Sequence, residues 1–221
     1  VHGLGNNRAG DEALDLASRL WAEGFNTLLF DLRGHGTSGE GTVSGGYFEQ
    51  NDLLGAYDFL RNGGVLPGRI GVIGFSMGAA ASVLGVSAEP KIRALVVDSP
   101  FANTSDLISQ EVARTTPIPK WIVPVFNPGT VLAANLLHGI KLNELDPESA
   151  VRDIDYPILL IHGADDSRIP VEHGIRVHAA AHQSSSLWLV PETDHVDAFL
   201  NDPDEYTKRV VTYFRDRLGF P

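Results

Sequence analysis

Hydrophobic residues in this chain form short continuous runs that are separated by segments with helical spacing. The runs predict strands at residues 26–31, 69–73, 94–98, 157–162 and 186–190. Residues 11–23 and 49–61 instead carry apolar side chains three or four positions apart, which predicts helices. Continuous runs are typical of strands buried on both faces, so the pattern predicts a doubly wound, mostly parallel α/β sheet.

This alternation stops between residues 102 and 156, where scattered prolines and apolar clusters replace the strand pattern. Long insertions after a strand end are usually functional. We therefore expect residues 102–156 to form a helical cap over an active site, with residues 1–101 and 157–221 forming the core. An extra helical layer that only packs on the core is the alternative interpretation.

One strand pattern runs directly into Gly74-Phe75-Ser76-Met77-Gly78, and a run of small, helix-forming residues follows it. A Gly-x-Ser-x-Gly motif alone occurs by chance in many proteins. Its position between a predicted strand and a predicted helix favours a sharp turn with Ser76 exposed at the tip. Ser76 is therefore the candidate nucleophile.

Composition narrows the class of protein. The 221 residues are 43% hydrophobic and 20% charged, as expected for one soluble globular domain. A formal net charge of −11 argues against nucleic acid or anionic membranes as partners, because both attract clustered lysine and arginine.

The chain contains no cysteine, which excludes disulfides and a thiolate nucleophile. No stretch approaches the roughly twenty apolar residues of a membrane span, so we expect none. The compartment stays open, with the cytoplasm slightly favoured. The chain opens on Val1 rather than methionine, as though its beginning were cut away.

Taken in order, the motifs resemble the serine hydrolases of the α/β-hydrolase superfamily, in the group that contains bacterial carboxylesterases and S33-type peptidases. The matching pieces are His2-Gly3-Leu4, Asp31-Leu32-Arg33-Gly34-His35-Gly36, Gly74-Phe75-Ser76-Met77-Gly78, Asp146-Pro147-Glu148-Ser149, His162-Gly163-Ala164-Asp165-Asp166 and Thr193-Asp194-His195. The family also has strands before its His-Gly motif, and these are missing from the sequence.

The resemblance implies a catalytic triad in the chain order serine, acid, histidine. His195 follows the last predicted strand and becomes the expected base for Ser76, since a serine hydroxyl needs a base to take its proton. Asp166 becomes the expected acid because Ile169 and Pro170 complete the family pattern after it. Asp98, at an earlier strand end, is the competing acid.

An oxyanion intermediate needs two N–H donors, and the backbone amides of Leu4 and Met77 are the candidates. For the cap, the apolar residues predict contact with an apolar acyl group of the substrate. The candidate substrate-binding residues are Trp121, Phe126, Leu132 and Leu136.

These features predict a serine hydrolase that cleaves a small-molecule carboxylic ester through an acyl-enzyme on Ser76. The same residues would also serve a peptidase or amidase, a thioesterase or an acyltransferase. A non-catalytic binding protein that keeps the pocket is the alternative from a different class. We expect no cofactor and no metal, because no pair of histidines has convincing ligand spacing with a third partner. The sequence leaves the oligomeric state open.

Overall fold

A computed structural model of the chain describes residues 1–116, 123 and 127–219. Its helices and strands alternate along most of the chain. In chain order they are α1 (Asp11–Ala22), α2 (Glu49–Asn62), β1 (Gly71–Phe75), α3 (Met77–Ala88), β2 (Ala94–Asp98), α4 (Thr104–Thr115), α5 (Asn127–His138), α6 (Pro147–Ala150), β3 (Leu159–Gly163), α7 (Val171–Ala180), β4 (Ser186–Val190), α8 (Ala198–Asn201) and α9 (Pro203–Leu218).

The four strands form one parallel sheet in the order β1-β2-β3-β4. Successive residues of β2 face opposite sides of this sheet. Leu95 and Val97 join an apolar cluster with residues of α2, α3 and α7, whereas Ala94 and Val96 join a second cluster with residues of α1, α8 and α9. Burial of both faces explains the continuous apolar runs. The predicted class, a parallel sheet covered by helices on both sides, is confirmed.

The predicted strand at residues 26–31 is wrong. This segment has no strand partner among the described residues. It lines an apolar cavity of about 440 Å³ together with residues of α1, α2 and β1. Val1 lies beside β1 instead, and its carbonyl oxygen accepts a hydrogen bond of 3.0 Å from the Phe75 amide. An apolar run becomes a strand only where a neighbouring strand can pair with it.

The insertion between β2 and β3 holds α4, α5 and α6, and no strand is found in its described part. Side chains of α7 fasten α4 to the core. Arg176 forms ion pairs with Asp106 on α4 and with Glu148 on α6, both at 2.5 Å. The buried ring of His173 accepts a hydrogen bond from the Ala102 amide and contacts Gln110 of α4 at 2.9 Å. The interpretation of residues 102–156 as a cap remains a prediction.

Candidate active site

The carboxyl ends of the four strands meet at one edge of the sheet, and each is followed by a polar residue of interest. Ser76 directly follows β1, and Asp98 ends β2 opposite Phe75 in the strand register. Asp166 lies in the loop after β3, and His195 lies in the loop after β4. Parallel strands therefore bring together residues that are far apart in the sequence.

Ser76 has a backbone conformation that few non-glycine residues adopt, with φ +53° and ψ −119°. Gly74 and Gly78 make this turn possible. A Cβ atom on Gly74 would collide with the Gly78 carbonyl oxygen, and one on Gly78 would collide with the carbonyl oxygens of Val1 and His2. The Ser76 amide donates a 2.9 Å hydrogen bond to the Asp98 carbonyl, which ties the turn to β2.

The imidazole of His195 lies between a hydroxyl and a carboxylate. Its Nε2 is 2.8 Å from Ser76 Oγ, and its Nδ1 is 2.7 Å from Asp166 Oδ2. Because an ionised carboxylate can only accept hydrogen bonds, Nδ1 carries the proton and Nε2 is free to accept from the serine hydroxyl. The structure thus brings the three predicted residues within hydrogen-bonding distance, in the order that a serine nucleophile and its base require.

Asp166 is buried, and both of its carboxylate oxygens accept hydrogen bonds. Oδ1 accepts from the amides of Arg168 at 2.9 Å and Ile169 at 2.7 Å. His162 Nε2 lies 3.3 Å from Oδ2, beside the shorter contact from His195. Burial raises the pKa of Asp166, but the hydrogen bonds from His162, His195 and the backbone outweigh it and leave the pKa well below its ordinary value. Asp166 is therefore held as a carboxylate.

Neither Asp165, the neighbour of Asp166, nor Asp98, the competing acid, has a hydrogen bond with His195 in the described part of the chain. The side chain of Asp165 is exposed, while its amide donates to the Thr193 carbonyl. Asp98 is fully buried and accepts hydrogen bonds from Ser99 Oγ and Tyr206 Oη, each at 3.1 Å. Burial raises the pKa of Asp98 to about 6, against the smaller lowering by these two hydroxyls.

The loop that carries Leu4 is fixed by two buried histidines. His2 Nδ1 donates to the Gly3 carbonyl at 2.8 Å, and its Nε2 accepts from the Leu32 amide at 3.0 Å. His35 Nε2 accepts from the Gly5 amide at 3.2 Å. Burial lowers the pKa of His2, in keeping with a neutral ring that uses both nitrogens.

Gly3 lies against Ser76, because a Cβ atom on this glycine would be 3.2 Å from Ser76 Cβ. Within the described residues, neither the Leu4 amide nor the Met77 amide donates to a protein acceptor. Met77 is the first residue of α3, where helix amides lack partners within the helix. Their assignment as oxyanion donors stays a prediction.

Asp194 is a residue of the site to which the sequence patterns assign no role. Its Oδ1 accepts 2.7 Å hydrogen bonds from the amides of both Ser167 and His195. These amide hydrogen bonds, with that of Ser167 the strongest, lower the pKa of Asp194. The carboxylate therefore joins the loop of Asp166 to the loop of His195. Its position next to the histidine was the only available signal in the sequence.

Two of the four predicted substrate-binding residues lie in the described part of the chain, and two lie outside it. Trp121 and Phe126 lie outside the described residues. Leu132 and Leu136 are 58% and 75% exposed on α5, and neither belongs to a buried apolar cluster. A role for them in substrate binding stays a prediction.

The described residues also bear on two other classes of site. Within ranges 1–116 and 127–219, no helix is long and apolar enough to cross a bilayer. The same part of the chain holds no group of three histidine, aspartate or glutamate side chains that could bind a metal ion.

The proteins with similar sequences include several named as uncharacterized and a lipase. The chain is 29% identical to the protein YqkD of Bacillus subtilis over 193 residues, which are 86% of this chain and 62% of YqkD. It is 29% identical to YfhR of Escherichia coli, across 99% of this chain and 70% of that protein. The lysophosphatidylserine lipase ABHD12 of Danio rerio is 28% identical, over 85% of this chain and 47% of the lipase. The chain thus spans under two thirds of YqkD and about half of ABHD12.

Among solved structures, an esterase of Pyrococcus furiosus has a TM-score of 0.76 at 26% identity, over 99% of this chain and 81% of the esterase. The monoacylglycerol lipase of Paleococcus ferrophilus has a TM-score of 0.68 at 21% identity, covering 98% of this chain and 92% of the lipase. At 21% identity, the similarity to the monoacylglycerol lipase is a similarity of fold alone. A model of the alpha/beta hydrolase family matches residues 1–209. The parallel sheet, its strand-end residues and this match agree, and the chain belongs to the alpha/beta hydrolase family.

Proposed function

We propose that this protein is a serine hydrolase that cleaves carboxylic esters through an acyl-enzyme on Ser76. The observation that carries the proposal is the position of the His195 ring, 2.8 Å from Ser76 Oγ and 2.7 Å from Asp166 Oδ2. The esterase of Pyrococcus furiosus, at 26% identity, supports the same reaction class.

In the first step, Ser76 Oγ attacks the ester carbonyl carbon while His195 Nε2 takes the hydroxyl proton. Asp166 accepts from Nδ1–H, which fixes the tautomer of the ring and stabilises its positive charge. The carbonyl oxygen becomes an oxyanion, for which the amides of Leu4 and Met77 are the proposed donors. When the carbon–oxygen bond to the alcohol breaks, His195 returns its proton to that alcohol.

In the second step, His195 takes a proton from water, and the resulting hydroxide attacks the acyl carbon. Collapse of this second tetrahedral intermediate releases the carboxylic acid and returns the proton to Ser76 Oγ. Every group required is a side chain or amide of this chain, so the proposed reaction uses no cofactor.

The proposed substrate is a small-molecule ester with an apolar acyl group. Two observations support this class. The lipase ABHD12 of Danio rerio matches over 85% of this chain. The exposed leucines 132 and 136 also supply apolar surface within the insertion. Amide, thioester and acyl-transfer substrates would use the same three side chains and are the alternatives.

Replacing Ser76 with alanine tests the mechanism. Removal of a triad nucleophile lowers kcat by about 10⁶-fold, so Ser76→Ala should abolish ester hydrolysis and labelling by a fluorophosphonate. Ser87→Ala is the matched control, on the helix α3 that follows Ser76, where the hydroxyl donates to the Leu84 carbonyl. It should keep wild-type activity. Undiminished hydrolysis by purified Ser76→Ala would refute the mechanism.

The substrate class is tested by a series of p-nitrophenyl esters of increasing acyl length, with an aminoacyl anilide beside them. We expect the esters to be hydrolysed, with kcat/KM rising as the acyl chain lengthens. Faster cleavage of the anilide than of every ester would favour a peptidase instead.

A further inference from the structure

We propose that Asp98, Ser99 and Tyr206 form a positioning network that holds the nucleophile and the base in register with each other. This inference rests on the proposed function. It assigns a role to the buried carboxylate of Asp98 and the buried hydroxyl of Ser99, which have no role in the proposed reaction steps. None of the three is proposed to touch substrate.

The network reaches both partners of the reaction through the backbone. On one side, the Asp98 carbonyl accepts a 2.9 Å hydrogen bond from the Ser76 amide. On the other side, Ser99 Oγ accepts from the amide of Val196, the residue after His195, at 3.3 Å. The Ser99 amide itself donates to the Ile161 carbonyl of β3 at 2.9 Å. Adjacent residues of one strand end thus contact the turns of nucleophile and base.

The carboxylate of Asp98 sets the direction of the Ser99 hydroxyl. Oδ1 is 3.1 Å from Ser99 Oγ and can only accept, so the hydroxyl donates to Asp98 and turns a lone pair toward Val196. Tyr206 on α9 donates to the other oxygen, Oδ2, at 3.1 Å. Asp98, Ser99 and Tyr206 are all fully buried, where a satisfied polar group fixes one arrangement of its neighbours.

The backbone at the two ends of the network explains why such a restraint is useful. Ser99 has φ +51° and Val196 has φ +64°. A β-branched residue such as valine rarely adopts a positive φ, because its side chain crowds the backbone there. The surrounding contacts must therefore stabilise the turn that carries His195. The Ser99 hydroxyl acts directly on that turn.

A positioning role predicts a loss of kcat without a matching loss of substrate binding. Ser99→Ala removes the acceptor for the Val196 amide, and Tyr206→Phe removes one donor to Asp98. The matched control is Tyr213→Phe, also on α9. Tyr213 Oη accepts from the Leu95 amide and donates to the Pro157 carbonyl, each at 2.9 Å, and neither partner is in the His195 loop.

The experiment measures kcat and KM on a p-nitrophenyl ester, with active sites counted by fluorophosphonate titration so that only competent molecules contribute. Small misplacement of a catalytic group can cost about 100-fold in rate, so Ser99→Ala should lower kcat per titrated site by about 10- to 100-fold. Its KM should stay within about threefold of wild type. Tyr206→Phe should lower kcat by a smaller factor, and Tyr213→Phe should leave it within about twofold.

Two results would overturn the inference while the proposed function stands. One is an unchanged kcat per site in Ser99→Ala, and the other is an equal loss of kcat in Tyr206→Phe and Tyr213→Phe. The second would mean that any lost phenol on α9 disturbs the site through packing. A wild-type protein with no titratable serine would instead overturn the proposed function, and this inference with it.

Discussion

Two neighbouring strand ends of this sheet each carry a buried aspartate, yet the environments of the two carboxylates differ. Asp98, at the end of β2, is hydrogen-bonded by the hydroxyls of Ser99 and Tyr206. Asp166, after β3, is hydrogen-bonded by two backbone amides of its own turn and by His195, with His162 close to Oδ2. Burial raises the pKa of Asp98 to about 6, whereas the donors around Asp166 lower its pKa.

Position at a strand end does not by itself make an aspartate the partner of the histidine. The donors around each carboxylate and the direction of the loop that carries it decide which aspartate contacts His195. The turn after β3 fixes Oδ1 of Asp166 with its own amides and leaves Oδ2 facing His195. The carboxylate of Asp98 is hydrogen-bonded to Tyr206 of α9 instead and is linked to the His195 loop through Ser99.

Of the variants that test this comparison, Asp166→Asn should cause the largest loss of kcat. An asparagine can present an N–H to the histidine ring and favour the wrong tautomer, a change that costs about 10⁴-fold in kcat in a comparable triad. Steady-state kinetics on a p-nitrophenyl ester would measure it. Asp165→Asn is the matched control, since that side chain is exposed, and it should change kcat by less than about tenfold. A larger loss of kcat in Asp165→Asn than in Asp166→Asn would show that Asp165 is the acid of the triad.

A smaller effect concerns stability, and its sign follows from the raised pKa of Asp98. Folding disfavours the charged form, so the contribution of Asp98 to stability is greatest below its ordinary pKa of 3.8 and falls as pH rises to about 6. Asparagine does not titrate. From pH 4 to pH 7, the free energy of unfolding of Asp98→Asn should therefore improve relative to wild type by about 2 kcal/mol.

Urea unfolding at the two pH values measures this difference. Asp98→Asn can be less stable than wild type at both pH values, because the prediction concerns only the change between them. A constant difference between the two proteins would contradict a raised pKa for Asp98.

The local patterns of the sequence were sufficient for much of the fold. The runs at residues 94–98 and 186–190 coincide with β2 and β4. Every residue of β2 is buried, as a continuous apolar run indicates, whereas Val190 is the one buried residue of β4. The run at residues 26–31 has three apolar residues, Leu28, Leu29 and Phe30, and has no strand partner among the described residues, since pairing depends on a segment elsewhere in the chain. Leu28 in the unpaired run and Leu189 in β4 are both exposed, so apolar patterning alone determines neither burial nor strand pairing.

The same limit applies to the candidate site. Ser76, Asp166 and His195 lie in motifs that are visible in the sequence, and the structure brings them together. The contacts of Ser99 with Val196 and of Asp194 with Ser167 join loops from different strands. No local pattern marks such contacts, because they depend on the strand order and on the backbone conformation at each strand end.

The most direct test of the central claim is to trap the acyl-enzyme. Rapid mixing of the protein with a p-nitrophenyl ester, acid quenching and mass spectrometry of the peptides would locate the acyl group. We expect a burst of p-nitrophenol of about one equivalent per active chain and an acyl group on the peptide that contains Ser76. Steady hydrolysis with no acylated peptide, or with the acyl group on another residue, would contradict the account.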